Sequence, residues 1–494
     1  MGDESLHVAV VGAGVGGLAA ALALSRAGYR VTVIERDATP LPPDPDAAFD
    51  WDRRGAPQVR HSHALLARLR NLLRDRYPDV LQRLLDAGAT EIRFGEMLPE
   101  TIDDRSPQPG DDDLVALACR RTTFEWVLRQ VVLESPSVSL MHGRGVDGLA
   151  SPPGRPVGPP LVTGVVLDRG DVLTADLVVG AVGRRSAIPR WFSSLGVELD
   201  QTEEDTGIVY LSRFYRLRDG AGFPDAAGPI GGDLGYLKYG VFQGDNRTFS
   251  VTLAVRTHDD ELRKLLLDPD LFDLAARNLT ATEPWVQAER AAATTPVHVM
   301  GGLLNRHLRF TGDGGEPLVL GFHALGDAHT CTNPLYGRGC SLATVQATLL
   351  ADAIAAGGDD PRARGRLYEA ACEREVLPWY RAAVNQDRLA REAAAAEREA
   401  RDGRDPANGS GGPPSDPAAF AREVMRDGLL PAVRTDARVY RAFVRTFNLL
   451  DPPEAMLTDP DVFGRILEVF QDRENRPPEP ELGPPRREML ARLH

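Results

Sequence analysis

Lysine is nearly missing from this chain: only two of its 57 cationic residues, Lys238 and Lys264, are lysines. The matching surplus of Arg, Ala, Gly and Pro reads as a GC-rich coding source and names no activity. A basic surplus is missing too, since 57 cations face 71 acids for a net charge of −14, so no global positive field exists to gather phosphate backbones or anionic lipid. Nucleic acid is therefore not an expected partner. Cysteine is scarce: Cys119, Cys331, Cys340 and Cys372 form no CxxC pair and the ten histidines show no HxxxH spacing, which argues against a disulfide framework and against a metal site. The opening Met-Gly-Asp-Glu-Ser-Leu is acidic where a secretory leader is basic, and residue 6 is Leu where myristoylation needs Ser or Thr, so the expected location is the cytoplasm. The uncharged run His7 to Ser25 could span a bilayer by count, but Gly12, Gly14, Gly16 and Gly17 fall inside it. A strand, a turn and a helix explain it better, and no membrane span is expected.

What is present suits a soluble, multidomain chain: 494 residues, 43% hydrophobic and 26% charged, enough for two or three domains with real cores. Leu6 to Val11 reads as a buried strand, a helix follows, and Arg30 to Glu35 is a second strand, which makes a βαβ unit. Gln58 to Leu85 and Thr122 to Leu133 read as mostly helical. Alternating patterns over Ile208 to Leu217 and Tyr236 to Val255, with a turn at Gly244-Asp245-Asn246, predict an antiparallel sheet. Buried-strand character returns at Leu318 to Leu325, followed by a glycine-rich loop and a helix over Ser341 to Ala356. The predicted fold class is therefore α/β, a Rossmann-like nucleotide-binding domain (1–195 and 310–358) carrying an inserted antiparallel β-sheet substrate domain (196–309). A helical segment (359–402), a Gly/Pro/Ser/Asp linker (403–417) and a C-terminal helical module with a Pro-rich tail (418–494) complete the expected organisation.

Two stretches carry the chemistry. Gly12-Ala13-Gly14-Val15-Gly16-Gly17 is a GxGxxG that follows a strand and opens a helix: one glycine turns the chain, one lets backbone approach a diphosphate, and one packs helix on strand. The helix N-terminus then offers unpaired N–H groups to the anion. Glu35 ends the second strand 18 residues after Gly17, close to the spacing of about 20 for an acid that binds ribose hydroxyls, with Arg36 beside it. The fingerprint alone suits NAD or FAD equally. The second stretch is Gly326-Asp327-Ala328, then Pro334, Gly337 and Gly339: Asp327 at a strand end can accept from polyol hydroxyls, and the glycines open a helix whose amides suit the pyrimidine edge of an anionic reduced flavin.

On these residues the sequence resembles the FAD-dependent monooxygenases of the p-hydroxybenzoate hydroxylase type, whose GD motif reads G-D-A followed by P-x-x-G-x-G. Arg121-Thr-Thr-Phe124 is similar to the R-x-x-L stretch that places an arginine beside the flavin ribityl and diphosphate. Gln58-Val-Arg60-His61-Ser-His63 is similar to a Q-x-R-H-x-H segment of bacterial relatives, including polyether epoxidases, that passes near the isoalloxazine. The resemblance implies a bound FAD held by Gly12, Gly14, Gly17, Glu35, Arg36, Arg60, Arg121, Asp327, Pro334, Gly337 and Gly339, with His61 and His63 as catalytic candidates and no obligatory catalytic residue. One departure stands out: the family's middle motif carries an acid, whereas Asp176-Leu-Val-Val-Gly180-Ala-Val182-Gly183-Arg184-Arg185-Ser186 has Gly180 and Val182 where acids are common. That departure bears on nicotinamide access, and a separate flavin or NAD(P)H reductase is kept as a partner candidate.

The activity so implied is insertion of one oxygen from O₂ into a small apolar or aromatic metabolite of secondary metabolism, by hydroxylation or epoxidation, through a flavin C4a-hydroperoxide and with NADH or NADPH as transient donor. A flavin-linked double-bond reductase on the same scaffold is the alternative. A flavin halogenase resembles this chain at both glycine motifs but needs a lysine reached from the flavin and a W-x-W-x-I-P segment, and no lysine precedes Lys238. A simple NAD-dependent dehydrogenase leaves residues 326–343 unexplained, and a non-catalytic binding protein that kept the fold is a further alternative. Cys340, at a helix start, reads as a small packing residue rather than a nucleophile, since no base adjoins it. The apolar spacing of Val439 to Leu450 and of Val462 to Phe470 predicts two amphipathic helices that either complete a core or roof the cavity.

Overall fold

The computed structural model describes residues 5–53, 55–154, 158–224, 230–401, 420, 423–472 and 474–494. A five-stranded, wholly parallel sheet runs in the order Phe322–Ala324, Leu177–Gly180, His7–Val11, Arg30–Glu35 and Val138–His142. Its middle strand is buried at every residue, as an unbroken apolar run must be when both faces of a sheet are covered. Helices Val15–Arg26, Arg121–Glu134 and Gly339–Gly357 share one core with one face of this sheet. On the other face Trp191 and Phe192 pack beneath the small antiparallel sheet of Val146–Ala150, Gly164–Leu167 and Val172–Thr174. Gly339–Gly357 is the one described helix long and apolar enough to cross a membrane, and most of it is buried in that core.

The second large sheet has six antiparallel strands, with Leu237–Gln243, Thr248–Arg256 and Ile208–Leu217 at its centre. The hairpin between the first two turns through Asn246 and Arg247, both left-handed at φ 52° and 61°. Its tip reaches the parallel-sheet domain: the buried Asp245 carboxylate accepts from Arg120 at 2.6 Å and from Thr123 at 2.8 Å. The inserted sheet thereby fixes the start of helix Arg121–Glu134 and with it the direction of Arg121.

Three local expectations change. The region 58–85 is helical only as Ala67–Arg76 and Pro78–Asp86; residues 61–66 form a loop after a single turn at Pro57–Arg60, with the Ser62 hydroxyl bonded to Ser250 and Thr252 of the inserted sheet. The strand expected over 318–325 shrinks to Phe322–Ala324, broken by Gly321 at φ 73°. The linker expected at 403–417 lies outside the described residues. C-terminal helices Ala437–Phe447 and Pro460–Gln471 do not roof the cavity, since no described residue beyond 419 lines it. Tyr440 and Val444 cover Leu98, Ile102 and Leu114 at the rim of the parallel-sheet domain. The tail then returns to the inserted sheet, where Met489, Leu490 and Leu493 enter its core and Arg486 grips Asp259 through two 2.7 Å bonds.

Candidate active site

One cavity of 370 Å³ runs from the first glycine turn to the wall of the inserted sheet. At its nucleotide end the three glycines do separate jobs. Gly12 has φ 105° and a Cβ there would fall 2.5 Å from the Ala181 carbonyl oxygen; a Cβ on Gly17 would fall 1.8 Å from the Gly12 carbonyl oxygen. Both positions exclude any side chain. Gly14 has no atom within 4 Å of an added Cβ, lines the cavity, and caps helix Val15–Arg26 without a side-chain bond, which leaves the first helical N–H groups free for an anion. Gly17 packs the turn and does not line the cavity.

Glu35 is buried at the cavity wall, its two oxygens accepting from Ala13 N at 3.0 Å and Asp37 N at 2.9 Å. A carboxylate has about four lone-pair sites, so it can still accept from a ribose. Beneath it lies a residue that the sequence reading missed. Arg53, 3% exposed, donates to the Ala13 carbonyl at 3.0 Å, to Asp37 at 2.9 Å and to Glu125 at 2.6 Å, and stands 3.4 Å from Glu35. Burial opposes its charge, but Glu125, Glu35 and Asp37 together hold its pKa above the ordinary arginine value. Nothing local sets Arg53 apart from the other arginines; three carboxylates converge on it only in the fold. Arg36 lines the cavity on an exposed turn. Arg60, expected beside the cofactor, is exposed and does not line the cavity, because the turn Pro57–Arg60 points it outward.

Arg121 lines the cavity midway, with its Nε buried and unpartnered and its Nη2 3.7 Å from Glu125. Its Nη1 stands 3.4 Å from His63 Nε2, and since a guanidinium only donates, that ring nitrogen accepts while Nδ1–H donates to the His61 carbonyl at 2.9 Å. Burial, then Arg121, pulls the His63 pKa down to about 3. His63 is thus held neutral, with its Nε2 turned to Arg121. His61 faces the inserted sheet, 3.2 Å from Ser212 Oγ and with its ring 6.3 Å from that of His298. Burial, with His298 and Arg184 nearby, lowers its pKa to about 4.

Beyond them Ser212 bonds Thr252 at 2.8 Å and Thr252 bonds Ser62 at 2.6 Å, a hydroxyl strip along the cavity wall. Lys238 also lines this end, paired with Asp233 at 3.0 Å.

The second motif closes the opposite wall. Asp327 lies just past strand Phe322–Ala324 and faces the cavity; burial raises its pKa, against the pull of Arg121, Arg184 and Arg306. Gly337 is left-handed at φ 66°, and a Cβ there would meet Ala64 Cβ at 2.7 Å. Gly339 has open space and starts helix Gly339–Gly357, which has no side-chain cap. Pro334 begins a turn held by Asn333, whose own amide donates to Asp387 at 2.8 Å and whose Oδ1 accepts from Tyr210 at 3.0 Å. Asp387 and Asn333 went unnoticed because their partners lie 54 residues apart. Cys340 is buried and burial raises its pKa, which suits a packing role. The missing middle-motif acid has a steric cause at Gly180, where a Cβ would fall 2.7 Å from Phe322 Cζ, while Val182 turns an apolar side chain to the cavity.

Two helix N-termini without side-chain caps, a side-chain-free turn, an acid at each nucleotide motif and an unpartnered Arg121 nitrogen fit an extended FAD. The fold is Rossmann-like, and the groove has the features of an extended dinucleotide site. Residues 7–41 match the family described as FAD dependent oxidoreductase. Protein Rv3254 of Mycobacterium tuberculosis is 27% identical over 388 residues, which cover 72% of this chain and 74% of that protein. The crystal structure of pqsL, a probable FAD-dependent monooxygenase from Pseudomonas aeruginosa, superposes with a TM-score of 0.54 at 18% identity, covering 78% of this chain and 96% of that one. OxyS anhydrotetracycline hydroxylase from Streptomyces rimosus gives 0.54 at 20% identity over 90% of this chain and 76% of its own. These structural likenesses establish the shared fold.

Proposed function

We propose that this chain is a monooxygenase that transfers one oxygen atom from O₂ to a small apolar or aromatic metabolite, by hydroxylation or epoxidation, with NADH or NADPH as electron donor. The observation that carries the reading is the single cavity continuous from Glu35 and the glycine turn to Ser212, Thr252 and Phe242 of the inserted sheet. Bound FAD supplies hydride acceptance and, when reduced, activation of O₂. The chain's own work is positional. Gly12, Gly14, Glu35, Arg121 and Asp327 hold the dinucleotide, Gly337 and Gly339 bring helix amides to the ring, and the buried wall excludes water. His61 is neutral at working pH and can accept or donate one hydrogen bond to a substrate oxygen at the hydroxyl strip.

Nicotinamide access is read from a neighbouring cavity of 300 Å³ lined by Arg184, Arg185 and Arg306 with Gly301 and Gly302, which shares Arg184, Arg185, Leu304 and Cys331 with the main one. None of these three arginines pairs with a carboxylate among the described residues, so the pocket suits a nucleotide phosphate. All four cysteines are free and buried, consistent with work in a reducing cytoplasm. The deciding experiment is turnover under ¹⁸O₂ with a panel of aromatic and polyketide compounds. Label in one product oxygen, with NAD(P)H consumed, supports the reading. NAD(P)H-driven reduction of a double bond without label replaces it with the reductase alternative. Flavin that stays oxidised with either nicotinamide, but is reduced when a reductase is added, assigns the electron supply to a partner.

A further inference from the structure

Helix Ala67–Arg76 starts directly behind the histidine loop and has no cap of its own, because the preceding residue, Leu66, carries no acceptor. Its first amides would lack partners. They are met from 381 positions further along the chain: Asn448 Oδ1 accepts from Ala67 N at 2.9 Å, and the Asn448 carbonyl accepts from Arg68 N at 3.2 Å. Asn448 is fully buried, and its Nδ2 donates to the Val444 carbonyl at 3.0 Å, which fixes the amide's orientation. The next residue, Leu449, is left-handed at φ 62°, a conformation costly for leucine that persists only where surroundings impose it. Its side chain is buried against Leu66, Leu342 and Trp379. Leu66 ends the histidine loop, Leu342 lies in the helix opened by Gly339, and Trp379 packs under Arg338, whose guanidinium carbon is 4.9 Å from its ring. The two loops meet there, since Gly337 lies against Ala64 too closely to admit a Cβ.

We propose that Asn448 and Leu449 are positioning residues through which the C-terminal helical module latches the histidine loop (61–66) and the glycine loop (334–339) together behind the flavin end of the cavity. No described residue of the module lines the cavity; Asn448 and Leu449 act from the rear by holding the two loops that form the walls. The flavin part of this inference rests on the FAD reading above.

The test uses the full-length holoprotein and three variants. Asn448→Ala removes the distant cap, Leu449→Gly keeps the backbone conformation but removes the packing, and Val462→Ala weakens the module's own core away from the latch. Hydrogen–deuterium exchange is read over residues 61–70, and FAD affinity by fluorescence titration of the apoprotein. Losing a helix cap is expected to speed exchange over 61–70 about fivefold and to weaken FAD binding by a similar factor in both latch variants. Val462→Ala should lower the melting temperature and move neither readout. The proposal is overturned if the latch variants exchange and bind FAD as wild type does, or if Val462→Ala reproduces their effect. Should wild type bind no FAD, the flavin reading fails by itself, and the exchange comparison still decides whether the latch exists.

Discussion

The two ends of the cavity are built by opposite means. At the nucleotide end the contacts are offered largely by backbone, and the side chains that matter most are absent ones, at Gly12, Gly14 and Gly17. At the inserted-sheet end the wall is made of side chains brought from far apart: Ser62 from a loop meets Thr252 from a strand 190 residues away. A backbone cradle is written in a dozen consecutive residues and tolerates few changes, whereas a side-chain wall is spread over the chain and can vary one residue at a time. That contrast suits a common cofactor and a particular substrate.

The strongest way to break the comparison is Arg53→Ala, since Arg53 ties the backbone cradle to three buried carboxylates. Removing one member of such a cluster strands the others, and a loss of about 3–5 kcal/mol of stability is expected in urea unfolding, together with loss of bound FAD. Retained stability would mean that the carboxylates rearrange onto Arg129, which stands over the same Trp51 ring. Gly17→Ala comes next: its methyl would overlap the Gly12 carbonyl, so the helix must shift, at about 1–3 kcal/mol, with FAD occupancy measured by absorbance expected to fall by tenfold or more.

Asp327→Ala should spare the fold and weaken FAD about tenfold, the size of one good charged hydrogen bond, as read by fluorescence titration.

The histidines give a prediction in pH. His61 and His63 have folded pKa values lowered by burial to about 4 and about 3, below the ordinary value near 6.5. The unfolded chain therefore binds more protons, so their contribution is complete above pH 6.5 and is lost as pH falls toward 4. Each such histidine adds a slope of up to about 1.4 kcal/mol per pH unit in that window for the apoprotein. His61→Gln should flatten the urea midpoint's pH dependence there by one histidine's share, and an unchanged slope would show that His61 is not held neutral. The smallest effect is expected at the substrate wall. Ser212→Ala removes one hydroxyl bonded to His61 and Thr252, which should cost about 1 kcal/mol and leave FAD affinity within twofold. A large loss of FAD there would erase the distinction between the two ends.

Legibility in the sequence follows the same division. The glycine turn, Glu35, Asp327 and the run from Pro334 to Gly339 all come to the one cavity, and each is legible because it depends on backbone conformation or on a residue at a strand end. Arg60 shows where local reading fails: its place in a family-like segment suggested the cofactor, and the turn Pro57–Arg60 faces it to solvent. His63 shows a subtler case, since Arg121 lies against one of its ring nitrogens, which no spacing reveals.

Periodicity and glycine placement, which act over neighbouring residues, make the βαβ start, the positions of the two glycine motifs and the antiparallel character of the middle of the chain readable without a structure. Folding alone brings three carboxylates to Arg53, sets Asp387 to hold the Pro334 turn, stands the C-terminal helices behind the cavity and makes Asn448 the cap of a helix 381 positions earlier. Each of these is a polar group whose partner is chosen by burial: once water is excluded, an N–H or a charge must find whatever acceptor the packing brings near, and that choice has no local signature.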